Sequence, residues 1–181
     1  MRYRAYLASF LALFLVLVSG QLMAHGPTRQ KVVETIEINA SAEQVWAVIK
    51  DFGNAHNWLP MVESSSSEGG NEPGAKRVLT LGGGAKVYET LKKYDAAKMK
   101  YSYRIPVATH DVNTLPVNNY SSTISVKAQG DKCKVTWKGA FYRGYPNNDP
   151  PPELNDEAAV AAVTGLYQAG LAHLKKVVEG Q

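Results

Sequence analysis

The last third of the chain constrains the fold most. A strand-like run at 134–142 carries Trp137 and Phe141 and leads through Arg143, Gly144 and Tyr145 to a proline block, Pro150, Pro151 and Pro152. One long apolar pattern follows. Val160, Val163, Tyr167, Gly170, Leu171, Leu174 and Val178 recur at spacings of three and four, the stripe of an amphipathic helix. Asn155 or Asp156 can cap its start, and Lys175 and Lys176 suit the negative end of its dipole. An aromatic strand feeding one closing helix predicts a curved sheet that grips that helix.

Upstream the pattern is rich in strands. Residues 31–38 carry Val, Ile and Thr and read as the first strand. Ser41 to Gln44 forms a capping box: the Ser41 hydroxyl can accept from the Gln44 amide while the Gln44 side chain reaches back. Val45, Trp46, Ile49 and Phe52 continue at helical spacing, Gly53 and Asn54 are expected to stop that helix, and 55–60 reads as a second short helix or turn. Further strands are expected at 61–66, 76–81, 86–94, 98–105, 120–128 and 132–142, with an irregular loop at 106–118. The expected architecture is therefore α+β, a helix-grip arrangement. A curved antiparallel sheet of six to seven strands wraps round a long C-terminal helix, with two short helices after the first strand. One helix cannot cover so wide a sheet if the sheet is flat, so the sheet curls and leaves space beneath it.

The first residues do not belong to that domain. Arg2 and Arg4 form a basic start, an apolar run covers 7–18, and small residues end at Ala24. This is the pattern of a secretory signal peptide at 1–24, with cleavage after Gly20 as the alternative to Ala24 and an uncleaved N-terminal anchor as the other reading, and it implies an exported, periplasmic protein. The domain would span 25–181, with no membrane span after cleavage. Losing Arg2 and Arg4 lowers the net charge from +4 to +2, and the remaining Lys and Arg are dispersed, which argues against nucleic acid as a partner. Cys133 is the only cysteine, so no intramolecular disulfide forms; its parity with Val135 and Trp137 points it inward as a buried thiol.

No catalytic motif stands out, no metal-ligand spacing is present, and no cofactor is expected. His25 would open the mature chain, most simply as a free exported terminus. His56 and Trp58 follow the first helix, where a grip-shaped fold has its cavity mouth. His56 is either a base or hydrogen-bonder there, or a surface or packing residue. Glu89 shares parity with Val87 and Leu91, so it is either an interior carboxylate or a rim residue on a twisted strand; Glu34 carries the same ambiguity. Tyr101, Tyr103, Tyr120, Trp137, Phe141 and Tyr167 fall on strands and the closing helix, and they suit a pocket for a partly polar organic ligand. Tyr142, Arg143 and Tyr145 fall at the rim as candidates for partner docking.

The element order, with Ala42-Glu-Gln-Val-Trp46 opening the first helix and one long helix closing the chain, resembles the SRPBCC superfamily, the START-like helix-grip group that includes polyketide cyclase-like proteins. Within it the chain is similar to the MxaD proteins of methylotrophic bacteria. The closer likeness rests on His25-Gly-Pro-Thr28, Trp46-Ala-Val-Ile-Lys-Asp-Phe52, His56-Asn-Trp58, Asn119-Tyr-Ser-Ser-Thr-Ile124, Trp137-Lys-Gly-Ala-Phe-Tyr-Arg-Gly-Tyr145 and Ala158-Ala-Val-Ala-Ala-Val-Thr-Gly-Leu-Tyr167. That resemblance implies a non-enzymatic periplasmic accessory protein of methanol oxidation, with methanol dehydrogenase and its cytochrome c acceptor as partners and no catalytic residues to carry over. The alternatives are a carrier of a small hydrophobic or aromatic ligand and a cyclase-like enzyme using His56, Glu89 or a tyrosine hydroxyl. Helix-grip folds host all three kinds of function.

Overall fold

The computed structural model describes residues 26–180. The expected signal peptide and His25 lie outside the described residues. Strand β1 (Gln30–Ile38) is followed by helix α1 (Ala42–Ile49) and a 3-10 segment (Phe52–Asn57). Strands β2 (Val62–Glu68), β3 (Lys76–Leu81), β4 (Lys86–Asp95), β5 (Lys100–Arg104), β6 (Val117–Gln129) and β7 (Lys132–Arg143) come next, and helix α2 (Asp156–Glu179) closes the chain. The seven strands form one antiparallel sheet in the order β1-β7-β6-β5-β4-β3-β2. The first strand thus lies beside the last, which brings both ends of the domain to one side of the sheet. Helix α2 packs mainly on β1 and β7.

The period of two in β7 decides what α2 meets. Cys133, Val135, Trp137 and Phe141 are buried, while Lys132 and Lys138 are exposed. Helix α2 offers Ala159, Val163, Tyr167, Gly170, Leu171 and Leu174 as its buried stripe, is capped by Asn155 through the Ala158 amide, and ends on Gly180 in the left-handed region. Gly170 lets the helix approach closely: a Cβ there would lie 2.8 Å from a Trp137 ring carbon and 2.9 Å from Leu59. Helix α1 carries the capping box between Ser41 and Gln44.

Three expectations need correction. Gly53 and Asn54 do not end α1, which stops at Ile49; they lie inside the 3-10 segment, which begins earlier than 55. The reason is Asp51, whose carboxylate takes the Gly53 amide at 2.9 Å and starts a new turn. Strand β6 begins at Val117 rather than Tyr120, so the loop is shorter. A bulge between Asn118 and Ser121 inserts one extra residue, and Asn119 takes a φ of 48° that asparagine tolerates. The bulge lets both Val117 and Tyr120 point into the core, which hid the first turn of the strand from a simple alternation.

Arg143 is not a free rim residue either. Only 8 % of its surface is exposed. It holds Asp156 at 3.1 Å and donates to the carbonyls of Tyr145 and Asn147, which fastens the segment after β7 to the start of α2. Tyr142 and Tyr145 are half-buried.

Candidate functional site

Between the sheet and α2 lies a cavity of about 270 Å³. Its apolar wall comes from Leu79, Leu81, Val87, Ile105 and Leu166, with Leu59, Met61 and Leu115 nearer the loops. Its polar end comes from Arg77, Glu89, Tyr103, Tyr120 and Trp137. Strand parity explains the set: Arg77 alternates with Leu79 and Leu81, and Glu89 with Val87 and Leu91, so both charged residues stand on apolar faces. The β3–β4 register places Arg77 directly opposite Glu89.

The two form a buried ion pair with Arg77 Nε 2.5 Å from Glu89 Oε2. Arg77 Nη1 donates to the Phe52 carbonyl at 2.7 Å, and the guanidinium lies 4.1 Å from the Phe52 ring and 5.1 Å from the Tyr103 ring. These contacts compensate a desolvation cost of several kcal/mol per ion. Burial pushes the Glu89 carboxyl above the ordinary carboxylate range, with the guanidinium opposing it. Burial also works against the Arg77 charge, yet Glu89, Tyr101 and Tyr103 outweigh it and hold its pKa above the usual value.

A second polar chain runs behind the aromatic wall. The Trp137 indole donates to Ser122 Oγ at 2.8 Å and to the Tyr103 oxygen at 3.1 Å. Tyr167 joins Ser122 at 2.9 Å and Tyr120 at 2.7 Å, and its ring stacks on Trp137. Burial raises the pKa of all three tyrosines, so Tyr103, Tyr120 and Tyr167 are neutral phenols at any physiological pH.

Of the sequence candidates, Glu89, Tyr103, Tyr120 and Trp137 line this cavity. Phe141, Tyr167, Tyr101 and Trp58 are fully buried behind or beside it. Trp58 packs on Trp137 with ring centroids 5.3 Å apart. His56 is a correction: it is exposed and lines no part of the cavity. Its Nδ1 lies 2.6 Å from Ser65 Oγ, but Ser65 gives its own proton to the Gly53 carbonyl at 2.5 Å. The imidazole is then the donor, and the serine oxygen has no activating base. His56 bonds to Ser65 and Glu89 to Arg77, so neither is hydrogen-bonded to the other or to a tyrosine hydroxyl; among the candidates only the phenols of Tyr120 and Tyr167 are joined.

Arg77 and Ser122 escaped sequence reasoning. Each left the same signal, a polar residue at an apolar position of an alternating strand. Among the described residues no cluster of three His, Cys, Asp or Glu is placed to hold a metal, and no helix is long and apolar enough to cross a membrane.

A curved antiparallel sheet gripping one long helix over a walled cavity defines a helix-grip protein. The chain belongs to the polyketide cyclase / dehydrase and lipid transport family, whose model matches residues 29–179. It is 32% identical to an uncharacterised protein from Bacillus thuringiensis, over 83% of this chain and 99% of that one, with a TM-score of 0.68. The protein XoxI from Bacillus cereus is 31% identical over 82% and 95% of the two chains, with a TM-score of 0.68. Norcoclaurine synthase from Thalictrum flavum shares the fold at 19% identity, over 86% of this chain and 96% of that chain, with a TM-score of 0.63. No curated protein matches.

Proposed function

We propose that this protein binds a small, mostly apolar organic molecule in the cavity beneath α2. The observation that carries this reading is a walled space of about 270 Å³ that is apolar on most sides and polar at one end. Ligand pockets run from about 300 to 1,000 Å³, so the volume suits a compound of ring size rather than a long acyl chain. Native mass spectrometry of the protein purified from its own source should find such a compound. Ala162, which lines the cavity from α2, gives the control: Ala162→Phe should release the compound while the far-ultraviolet spectrum stays unchanged. Retention of the compound by a folded Ala162→Phe protein would sink the reading.

A second reading is the periplasmic accessory role in methanol oxidation, promoting contact between methanol dehydrogenase and its cytochrome c acceptor. It is supported by the sequence blocks at 137–145 and 158–167 that carry the MxaD likeness. The outer face of the sheet adds support. There Lys31, Lys93, Lys100, Lys127, Lys134 and Lys138 carry no salt bridge among the described residues, which suits an acidic protein surface. Methanol-dependent cytochrome reduction in periplasmic extracts should slow when the gene is deleted and recover, in a salt-sensitive way, when the protein is added back. Equal rates with and without the protein would remove this role.

A further inference from the structure

The polar end of the cavity has hydrogen-bond donors to spare, and proton accounting identifies them. The indole of Trp137 can only donate and the Lys138 carbonyl can only accept. Ser122 donates to that carbonyl at 3.1 Å, so its oxygen accepts from Trp137 and from Tyr167. The Tyr167 proton is thereby used, and Tyr120 donates to Tyr167. Tyr103 accepts the weaker branch of the indole bond, and its own proton has no free acceptor among the described residues, because the neighbouring Ser122 oxygen is already taken by Trp137 and Tyr167. Arg77 uses Nε on Glu89 and Nη1 on Phe52; its Nη2 makes no close hydrogen bond among the described residues, and the Tyr101 hydroxyl beside the guanidinium likewise has no close partner. Both side chains line the cavity, and the guanidinium lies 5.1 Å from the Tyr103 ring.

The charge at that end is already balanced. Arg77 and Glu89 face each other as guanidinium and carboxylate, each favouring the other's charge against the cost of burial. An anionic guest would add an uncompensated buried charge, whereas a neutral acceptor would satisfy the donors without one. A carbonyl oxygen offers two lone pairs, enough for two converging donors.

We propose that the cavity takes a neutral, ring-sized compound bearing a carbonyl oxygen, received by Arg77 Nη2 and the Tyr103 hydroxyl. This rests on the small-molecule reading above and adds the chemical class and the orientation: carbonyl towards β3 and β5, apolar body towards Leu81, Val87 and Leu166. Tyr103 and Arg77 are then the residues that set specificity.

Calorimetric titration of the full chain with three probes of similar size separates the possibilities: 1-tetralone, naphthalene and 1-naphthoate. The ketone should bind at least about tenfold more tightly than the hydrocarbon, the difference expected of a hydrogen bond to a charged donor. The carboxylate should bind more weakly than the ketone. The bound ketone's carbonyl stretch should move to lower frequency. Because Arg77 variants risk misfolding, Tyr103→Phe is the variant of choice. It should lose part of the stretch shift and several-fold in ketone affinity while naphthalene binding stays unchanged. Equal affinity for naphthalene and 1-tetralone would overturn the carbonyl assignment yet leave the small-molecule reading standing. Tightest binding of 1-naphthoate would overturn neutrality of the guest, and no binding by any probe would overturn both.

Discussion

Trp137 and Tyr167 stack with ring centroids 4.2 Å apart and 15° between their planes, and this contact ties the middle of α2 to β7, the strand between β1 and β6. The Tyr167 hydroxyl then continues into Tyr120 and Ser122. Tyr167→Phe keeps the stack but leaves the Tyr120 proton without its acceptor. A loss of about 1–3 kcal/mol in urea unfolding is expected, the cost of an unsatisfied buried donor. Tyr167→Ala removes the ring as well and should cost about 3–5 kcal/mol. If Tyr167→Phe were neutral, the network would not be a source of stability.

Two glycines of α2 give opposite outcomes on the same helix. Nothing lies within 4 Å of a Cβ added at Gly165, so Gly165→Ala should gain about 0.5–1 kcal/mol from helix propensity alone. A Cβ at Gly170 meets Trp137 and Leu59, both buried. Overpacking there should exceed the propensity gain and leave Gly170→Ala less stable by about 1–2 kcal/mol. Chemical denaturation of the pair checks this. Stabilisation by both would mean that α2 does not depend on the close approach at Trp137.

How much of this was legible depended on whether a residue obeyed its strand's alternation. Trp137, Phe141 and Cys133 lay on the apolar face of β7 and were readable, as was the stripe of α2. The Ser41 and Gln44 capping box was readable because it is local. His56 misled because sequence position places it near the cavity mouth, while the 3-10 turn set by Asp51 sends it outward to Ser65. Arg143 misled because an arginine after a strand reads as solvated; its partner Asp156 lies beyond the proline block, and such a pairing leaves no periodic trace. Glu89 could be read as interior or rim because its partner was not identified. Only the register of β3 against β4 brings Arg77 opposite it.

Alkaline pH should unfold the protein cooperatively. Burial raises Tyr101 to about 12, and it raises Tyr103, Tyr120 and Tyr167 as well. Below about pH 10 the phenols are protonated in both folded and unfolded chains, so this contribution is constant. Above that, the unfolded chain loses protons that the folded chain keeps, and stability falls by about 1.4 kcal/mol per pH unit for each tyrosine. With four such groups, a domain of ordinary stability should unfold between about pH 11 and 12. Phenolate absorbance should rise in step with loss of ellipticity. A gradual rise in a protein that stays folded would contradict the burial of these hydroxyls. Tyr101→Phe should reduce the slope by one proton and cost little at neutral pH, because the Tyr101 hydroxyl is buried without a close hydrogen-bond partner and the neighbouring Arg77 is held by Glu89 and the Phe52 carbonyl.

The ion pair beneath the cavity makes the sharpest double-mutant test. Arg77 and Glu89 are 2 % and 6 % exposed, so either one alone becomes an uncompensated buried charge when its partner is removed. Arg77→Met and Glu89→Leu should each destabilise by about 3–5 kcal/mol. In the double variant neither charge remains. The lost hydrogen bond to the Phe52 carbonyl persists as a cost, but the desolvation of two ions disappears. The double variant should therefore be more stable than either single one, giving a coupling energy of several kcal/mol in a denaturation cycle. Additive losses would mean that water reaches both groups in the folded protein. The same cycle separates stability from binding: a stable double variant that no longer distinguishes a ketone from a hydrocarbon of the same shape would show that the pair is kept in this core for recognition, at a cost in stability.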